Sequence, residues 1–271
     1  MYRVNDKTVI ITGASSGIGL ACAYAFHKKG AKIVMAARNY DIIRKMESEF
    51  NSLRKNSALA VKTDITVESE CKNLIENTVA MFGSIDVLIN NAGLSMRANF
   101  LDVDLIVLKK LMDVNFWGTI FCTKYALPYL IENKGSLAGI SSVAGLHGLP
   151  GRTGYSASKY AMQGFLDTVR IENLKKGLHV IVIIPGFVAT NVRNTALVAD
   201  GSAQGESPRV EEKMMSPEEL ANRIVRGIEK RKRKLTTSYE GKLTPLMKLL
   251  CPYLLDKLYF NHMKKEPNSP I

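Results

Sequence analysis

The sequence predicts a doubly wound α/β fold: a parallel sheet of about seven strands with helices on both faces. Two observations carry that expectation. Short apolar runs rich in β-branched residues alternate with longer stretches of helical period, and near-continuous apolar strands are those covered on both faces. The alternation runs on without an internal repeat or a Pro- or Gly-rich linker, so one domain over residues 1–240 is expected, followed by a C-terminal extension over 241–271.

The first strand, Lys7–Thr12 (KTVIIT), runs into a glycine-rich turn and a helix over Gly17–Lys29. Strands over Ala31–Ala37 and Ala58–Thr63 enclose a helix over Asp41–Lys55. Glu68–Phe82 reads as the next helix and Ile85–Asn90 as the next strand. One long helical period covers Val103–Ile131, then the strand Ser136–Ser141, the helix Gly154–Lys175 and the strand Leu178–Ile184. Ser216–Arg231 opens like a helix, with Ser216 as N-cap, Pro217 in the first helical position and Glu218 and Glu219 in the first turn. A short strand over Lys234–Ser238 completes the sheet. Residues 187–215 are too long for an ordinary connection and are expected to act as a lid, mobile without ligand and ordered over a substrate. Leu243–His262 is apolar, aromatic and basic, and Pro245 and Pro252 interrupt it as a single helix.

Composition narrows the function classes. Of 271 residues, 46% are hydrophobic and 23% charged, which excludes global disorder. Four scattered cysteines, without a CxxC pair or a Cys/His cluster, exclude a disulfide scaffold and a zinc ribbon and suit a reducing compartment. No Ser-His-Asp triad and no metal constellation is visible in the sequence. The start MYRVNDKTVIITG lacks an apolar segment behind a basic one, and no run of about 18 apolar residues exists; a cytoplasmic protein is expected. The net charge is +12, and from Arg223 onward 12 basic residues face 4 acidic ones. That excess concerns an anionic surface, and a membrane contact through the tail is the better candidate. Nucleic acid is not expected, because no recognition helix or stacking motif accompanies the charge. The other reading of the tail is that its apolar residues cover a substrate cleft or a subunit interface.

Thr12-Gly13-Ala14-Ser15-Ser16-Gly17-Ile18-Gly19 joins the first strand to the first helix. Gly13 permits the tight turn, Gly17 lets the backbone approach a pyrophosphate, Gly19 lets helix and strand pack, and the helix N-terminus offers free N–H groups. The spacing is G-x3-G-x-G, and its place in the first βα unit makes it a dinucleotide site. The second strand ends Ala36-Ala37-Arg38-Asn39, with no acid before Asp41. An Arg there accommodates a 2′-phosphate where an acid would hold a 2′-hydroxyl, so NADP(H) is expected over NAD(H). Tyr155 and Lys159 stand at i and i+4 of one helix, where an ammonium is expected to pull the phenol toward the range a general acid/base needs. His147 reads as a solvated loop residue and Trp117 as helix packing.

With Asp64 after the third strand, Asn90-Asn91-Ala92-Gly93, Asn115, Ser142 thirteen residues before Tyr155, and Pro185-Gly186, the chain resembles the short-chain dehydrogenase/reductase family over about residues 5–240, a Rossmann-type fold. The resemblance implies that Tyr155 exchanges a proton with a carbonyl or alcohol oxygen, that Ser142 hydrogen-bonds that oxygen, that Lys159 holds the nicotinamide ribose, and that Asn115 supports a water linking Lys159 to solvent. It implies cofactor contacts from Ser15, Ser16, Ile18, Asp64, Ile65, Asn91, Ala92, Gly93, Pro185, Gly186, Val188 and Thr190, beside the three glycines and Arg38. It also implies a homodimer or homotetramer. The expected activity is the interconversion of a ketone and a secondary alcohol on an apolar, lipid-like substrate, of the 3-keto sphingoid base or steroid type. A non-catalytic nucleotide-binding regulator and a membrane-surface interaction protein are the competing classes.

Overall fold

The inner strands of the sheet bury both their odd and their even rows of side chains, whereas the last strand, Lys234–Thr236, is exposed to half-buried. In β1 (Thr8–Thr12) Val9 and Ile11 face one core while Ile10 faces the other. That is the physical reason the strands read as unbroken apolar runs. The computed structural model describes residues 2–207 and 214–271, so residues 208–213 of the predicted lid lie outside the described residues.

The sheet has seven parallel strands in the order β3-β2-β1-β4-β5-β6-β7, with β2 at Lys32–Ala37, β3 at Ala58–Lys62, β4 at Val87–Asn90, β5 at Ser136–Ile140, β6 at His179–Ile184 and β7 at Lys234–Thr236. One face is covered by α1 (Gly17–Lys28), α2 (Tyr40–Leu53) and α7 (Pro217–Glu229), through Phe26, Phe50 and Ile224 among others. The other is covered by α3 (Glu68–Phe82), α5 (Gly118–Glu132) and α6 (Thr153–Glu172), through Leu74, Leu130 and Leu166. The strand order reverses between β1 and β4, which opens a crevice beyond their carboxyl ends.

Three features depart from the sequence reading. The helix expected over Val103–Ile131 is divided into α4 (Leu105–Met112), one π-helical turn at Asp113–Trp117 and α5. The wider turn carries Asn115, which is fully buried. The tail forms two helices, α8 (Tyr239–Leu250) and α9 (Pro252–Lys264): Pro252 divides it as expected, but Pro245 is accommodated inside α8 instead of interrupting it. The basic run and the apolar tail are also separated. Arg231 donates to the carbonyls of Lys134 and Gly177, just ahead of β5 and β6 at the amino ends of the strands, whereas α8 and α9 follow β7 and Lys248 reaches the Leu146 carbonyl beyond the carboxyl end of β5. No described helix is long and apolar enough to cross a membrane.

Candidate active site

The crevice begins where β1 ends. The Thr12 hydroxyl accepts the amides of Asn91 and Ala92 at 3.0 and 3.1 Å, while the Asn91 side-chain amide donates to the carbonyls of Thr12 and Gly13 at 2.8 and 3.2 Å. These bonds lock the turn after β4 onto the turn after β1. Gly13 sits at φ +65, and a Cβ there would lie 2.8 Å from the Ala92 Cα. A Cβ on Gly19 would lie 2.3 Å from the Gly13 carbonyl. Both positions therefore require glycine. Ser16 caps α1 without a side-chain hydrogen bond, and the first turn holds no acid, so the leading amides of α1 are offered to an anion.

The catalytic candidates stand across the crevice, on the far side of β4. Lys159 is buried in α6, and its Nζ donates to the carbonyl of Ile140 at 2.8 Å. Asn115 Oδ1 accepts the amide of Leu94, and its Nδ2 donates to the Leu94 carbonyl and to Ser158 Oγ at 2.9 Å. The π turn thus ties α4 and α5 to the segment after β4 and to α6. A Cβ on Gly93 would come within 3.0 Å of Asn115 Oδ1 and 3.4 Å of Lys159 Nζ, so a residue without a side chain lies between them. Ser142 begins a short 3-10 turn after β5 and its hydroxyl accepts the amide of Ala144. Gln163 reaches from α6 to Ser141 Oγ and to the Gly145 carbonyl, which holds this turn, with Ser142, against the helix that carries Tyr155.

A cavity of about 540 Å³ joins the two halves. Of the residues predicted for the site, Gly19 and Asn115 stand behind its wall and all the others line it. Asp64 lies at its far end, its carboxylate accepting the amide and hydroxyl of Thr66. Burial pulls Lys159 down from 10.5 to about 8. Tyr155 departs from expectation: burial raises its phenol above the ordinary value, opposed by a hydrogen bond with Ser142 and by the nearby Arg152 guanidinium. Burial outweighs both.

The tail supplies one wall, as the cleft-covering reading of it expected: Tyr259, His262, Met263 and Glu266 line the cavity, and so does Arg152, which the sequence did not single out. His147 is corrected from a solvated loop residue to a buried one: its Nε2 lies 3.0 Å from Asp256 and its ring stacks on Tyr259. Lys248 adds bonds to the Leu146 carbonyl and the Tyr160 hydroxyl. These contacts stitch α8 and α9 to the segment between Ser142 and Tyr155. No local pattern announces them, since the partners are about a hundred residues apart. From the lid segment, Leu197 packs with Met96 and Val107, and Val188 bridges to Met215.

Residues 7–199 match the short chain dehydrogenase family. The chain belongs to that family. Among its relatives are Dehydrogenase/reductase SDR family protein 7-like of Drosophila melanogaster, 33% identical over 97% of this chain and 81% of the fly protein, and Dehydrogenase/reductase SDR family member 7B of Mus musculus, 32% identical over 98% and 84%. A short-chain dehydrogenase from Streptomyces avermitilis shares the fold, with a TM-score of 0.80 at 23% identity over 96% of this chain and 98% of that one. So does an alcohol dehydrogenase from Thermococcus sibiricus complexed with 5-hydroxy-NADP, with a TM-score of 0.75 at 23% identity over 85% and 95%. As a short-chain dehydrogenase, the chain is an oxidoreductase that binds a nicotinamide dinucleotide and acts on a small molecule. The glycine turn and the uncapped start of α1 suit the pyrophosphate of such a cofactor.

Proposed function

We propose that the protein interconverts a ketone and a secondary alcohol on an apolar, lipid-like substrate, of the 3-keto sphingoid base or steroid type, and prefers NADP(H) to NAD(H). The observation that carries this reading is the convergence of Ser142, Tyr155 and Lys159 on one cavity that also holds the glycine turn and Arg38. The dinucleotide, when bound, supplies or takes the hydride. Tyr155 gives its proton to the carbonyl oxygen. In the reverse direction the same Tyr155 takes the proton from the alcohol. Ser142 hydrogen-bonds the same oxygen as charge develops on it. Lys159 holds the ribose hydroxyls, and Asn115, beside it across Gly93, supports the water through which Lys159 exchanges protons.

Arg38 supports the NADP(H) preference, since β2 ends without an acid to repel a 2′-phosphate. Leu94, Leu149, Phe187, Tyr259 and Met263 support the apolar substrate. The segment over 187–215 is the lid of this reading. Purified protein should oxidise NADPH faster than NADH when screened against sphingoid, steroid and fatty-acyl ketones, and Arg38→Asp should reverse the cofactor preference. Equal affinity for both cofactors in the native chain refutes the preference; no turnover of any ketone favours a nucleotide-binding regulator.

The reading extends to the surface. A cytoplasmic protein that touches an anionic membrane through the corner of α8 and α9 fits the exposed Leu249, Leu250, Tyr253 and Leu254, which are 50–79% accessible, with Lys257 beside them over the Tyr253 ring. Because the tail walls the cavity, Leu250→Glu tests this better than truncation. It should abolish sedimentation with anionic liposomes at low salt and leave turnover intact. Sedimentation equal to that of the native chain refutes the contact. Exposed Leu105 and Ile106 on α4 support self-association as a homodimer or homotetramer, which light scattering of the eluted protein checks.

A further inference from the structure

Glu266 lies beyond α9, yet its side chain is only 6% exposed. Two guanidinium groups close on its Oε2: Arg97 Nε, from the segment after β4, at 3.6 Å, and Arg152 Nη2, at the start of α6, at 3.5 Å. Both arginines are themselves nearly buried, at 8% and 13%. Arg97 also donates to the Pro267 carbonyl, and Pro270 packs where a Cβ on Gly151 would fall. Charges withdrawn from water at such depth persist only when they are paired. The same Arg152 is the N-cap of α6, three positions before Tyr155, and the two line one cavity.

We infer that Arg152 is a positioning residue for Tyr155, and that Glu266, carried by the C-terminal tail, sets how much of the guanidinium charge the phenol feels. The tail then takes part in proton donation as well as closing the cavity. The burial of Tyr155 raises its phenol, and among the opposing influences the Arg152 charge and the Ser142 hydrogen bond are those that lower it. Among the described residues, the other charged and titratable groups that line the cavity with the phenol include Lys159 on α6, Arg193 from the lid segment, Glu240 on α8, Tyr259 and His262 on α9, and, with the dinucleotide turn, Arg38 and Asp64. Arg97 reaches the site through Glu266. Of these, Arg152 and Glu266 form a direct pair that spans the tail and the helix of Tyr155.

The inference rests on Tyr155 being the proton donor, but its test needs no substrate. In the full chain labelled with 13Cζ-tyrosine, the Tyr155 resonance, assigned by its loss in Tyr155→Phe, is titrated over the alkaline range in which the protein stays folded. Arg152→Gln should move the midpoint up by about one pH unit, and Arg152→Lys should restore most of the difference. Glu266→Gln keeps an acceptor for both arginines while removing the negative charge, and should move the midpoint down. A merely structural pair would shift both variants in the same direction or neither. The inference is overturned if Arg152→Gln leaves the midpoint unchanged, or if Glu266→Gln leaves it unchanged or raises it. A midpoint that moves as expected in a protein without ketone reductase activity would instead refute the proposed function and leave the pairing standing.

Discussion

Replacing Lys159 by Met should stabilise the native fold near neutral pH while destroying the site. Lys159 is buried in α6, and burial alone lowers it from 10.5 to about 8. Its folded value lies below its unfolded one, so between those values the unfolded chain binds more protons and native stability rises with pH. Below pH 8 the full cost of holding an ammonium out of water is present, and the displacement from 10.5 to about 8 corresponds to about 3 kcal/mol. Met removes that cost but also the donor to the Ile140 carbonyl, worth about 1 kcal/mol. A net gain of about 2 kcal/mol is therefore expected at pH 7. Denaturant unfolding of both proteins across the alkaline range reads it. The advantage of Met should shrink by about 3 kcal/mol as pH rises through 8 toward 10.5, because the native lysine sheds its proton while the variant has none to lose. A stability difference that stays constant over that range refutes the reasoning.

Two further substitutions probe the same cavity. Tyr155→Phe should reduce turnover by about 100-fold or more, the scale of a lost general acid, with little change in dinucleotide affinity; kinetics and a fluorescence titration of cofactor read the two separately. Gly19→Ala sets a Cβ 2.3 Å from the Gly13 carbonyl and 2.5 Å from Asn91 Nδ2, backbone and a locked amide that have nowhere to go. It should cost about 1–3 kcal/mol and weaken cofactor binding, and an unchanged melting temperature would contradict it.

The cofactor half of the site is legible in the sequence because it is built locally. Strand, glycine turn and helix follow one another within Thr8–Lys28, and the inner strands announce themselves by burying both rows of their side chains. Tyr155 and Lys159 share one helix, so their spacing alone puts them on one face. The π turn at Asp113–Trp117 was hidden for a definite reason: one extra residue in a turn shifts the helical phase slightly, and a period read over a long stretch absorbs the shift. Asn115 was found by resemblance, not by periodicity.

The substrate half is assembled from residues remote in the chain, and there sequence reading loses its grip. The tail's apolar residues divide between two surfaces. Leu255, Tyr259 and Met263 turn inward, while Leu249, Leu250 and Tyr253 turn outward, so the stretch covers the cavity with one set of residues and leaves to the proposed membrane contact only the other. Net charge misleads in the same way. The basic run before β7 and the lysines of α8 and α9 are neighbours in sequence, but β7 carries the chain from the amino to the carboxyl ends of the strands and separates them. Conversely Glu266 and Arg152 stand 114 residues apart and meet beside Tyr155. The pairing depends on where α9 ends once α8 has turned back at Pro252, a tertiary fact with no local trace. A relative could therefore keep Ser142, Tyr155 and Lys159 in register and still differ in proton donation, through a tail that delivers a different side chain to Arg152.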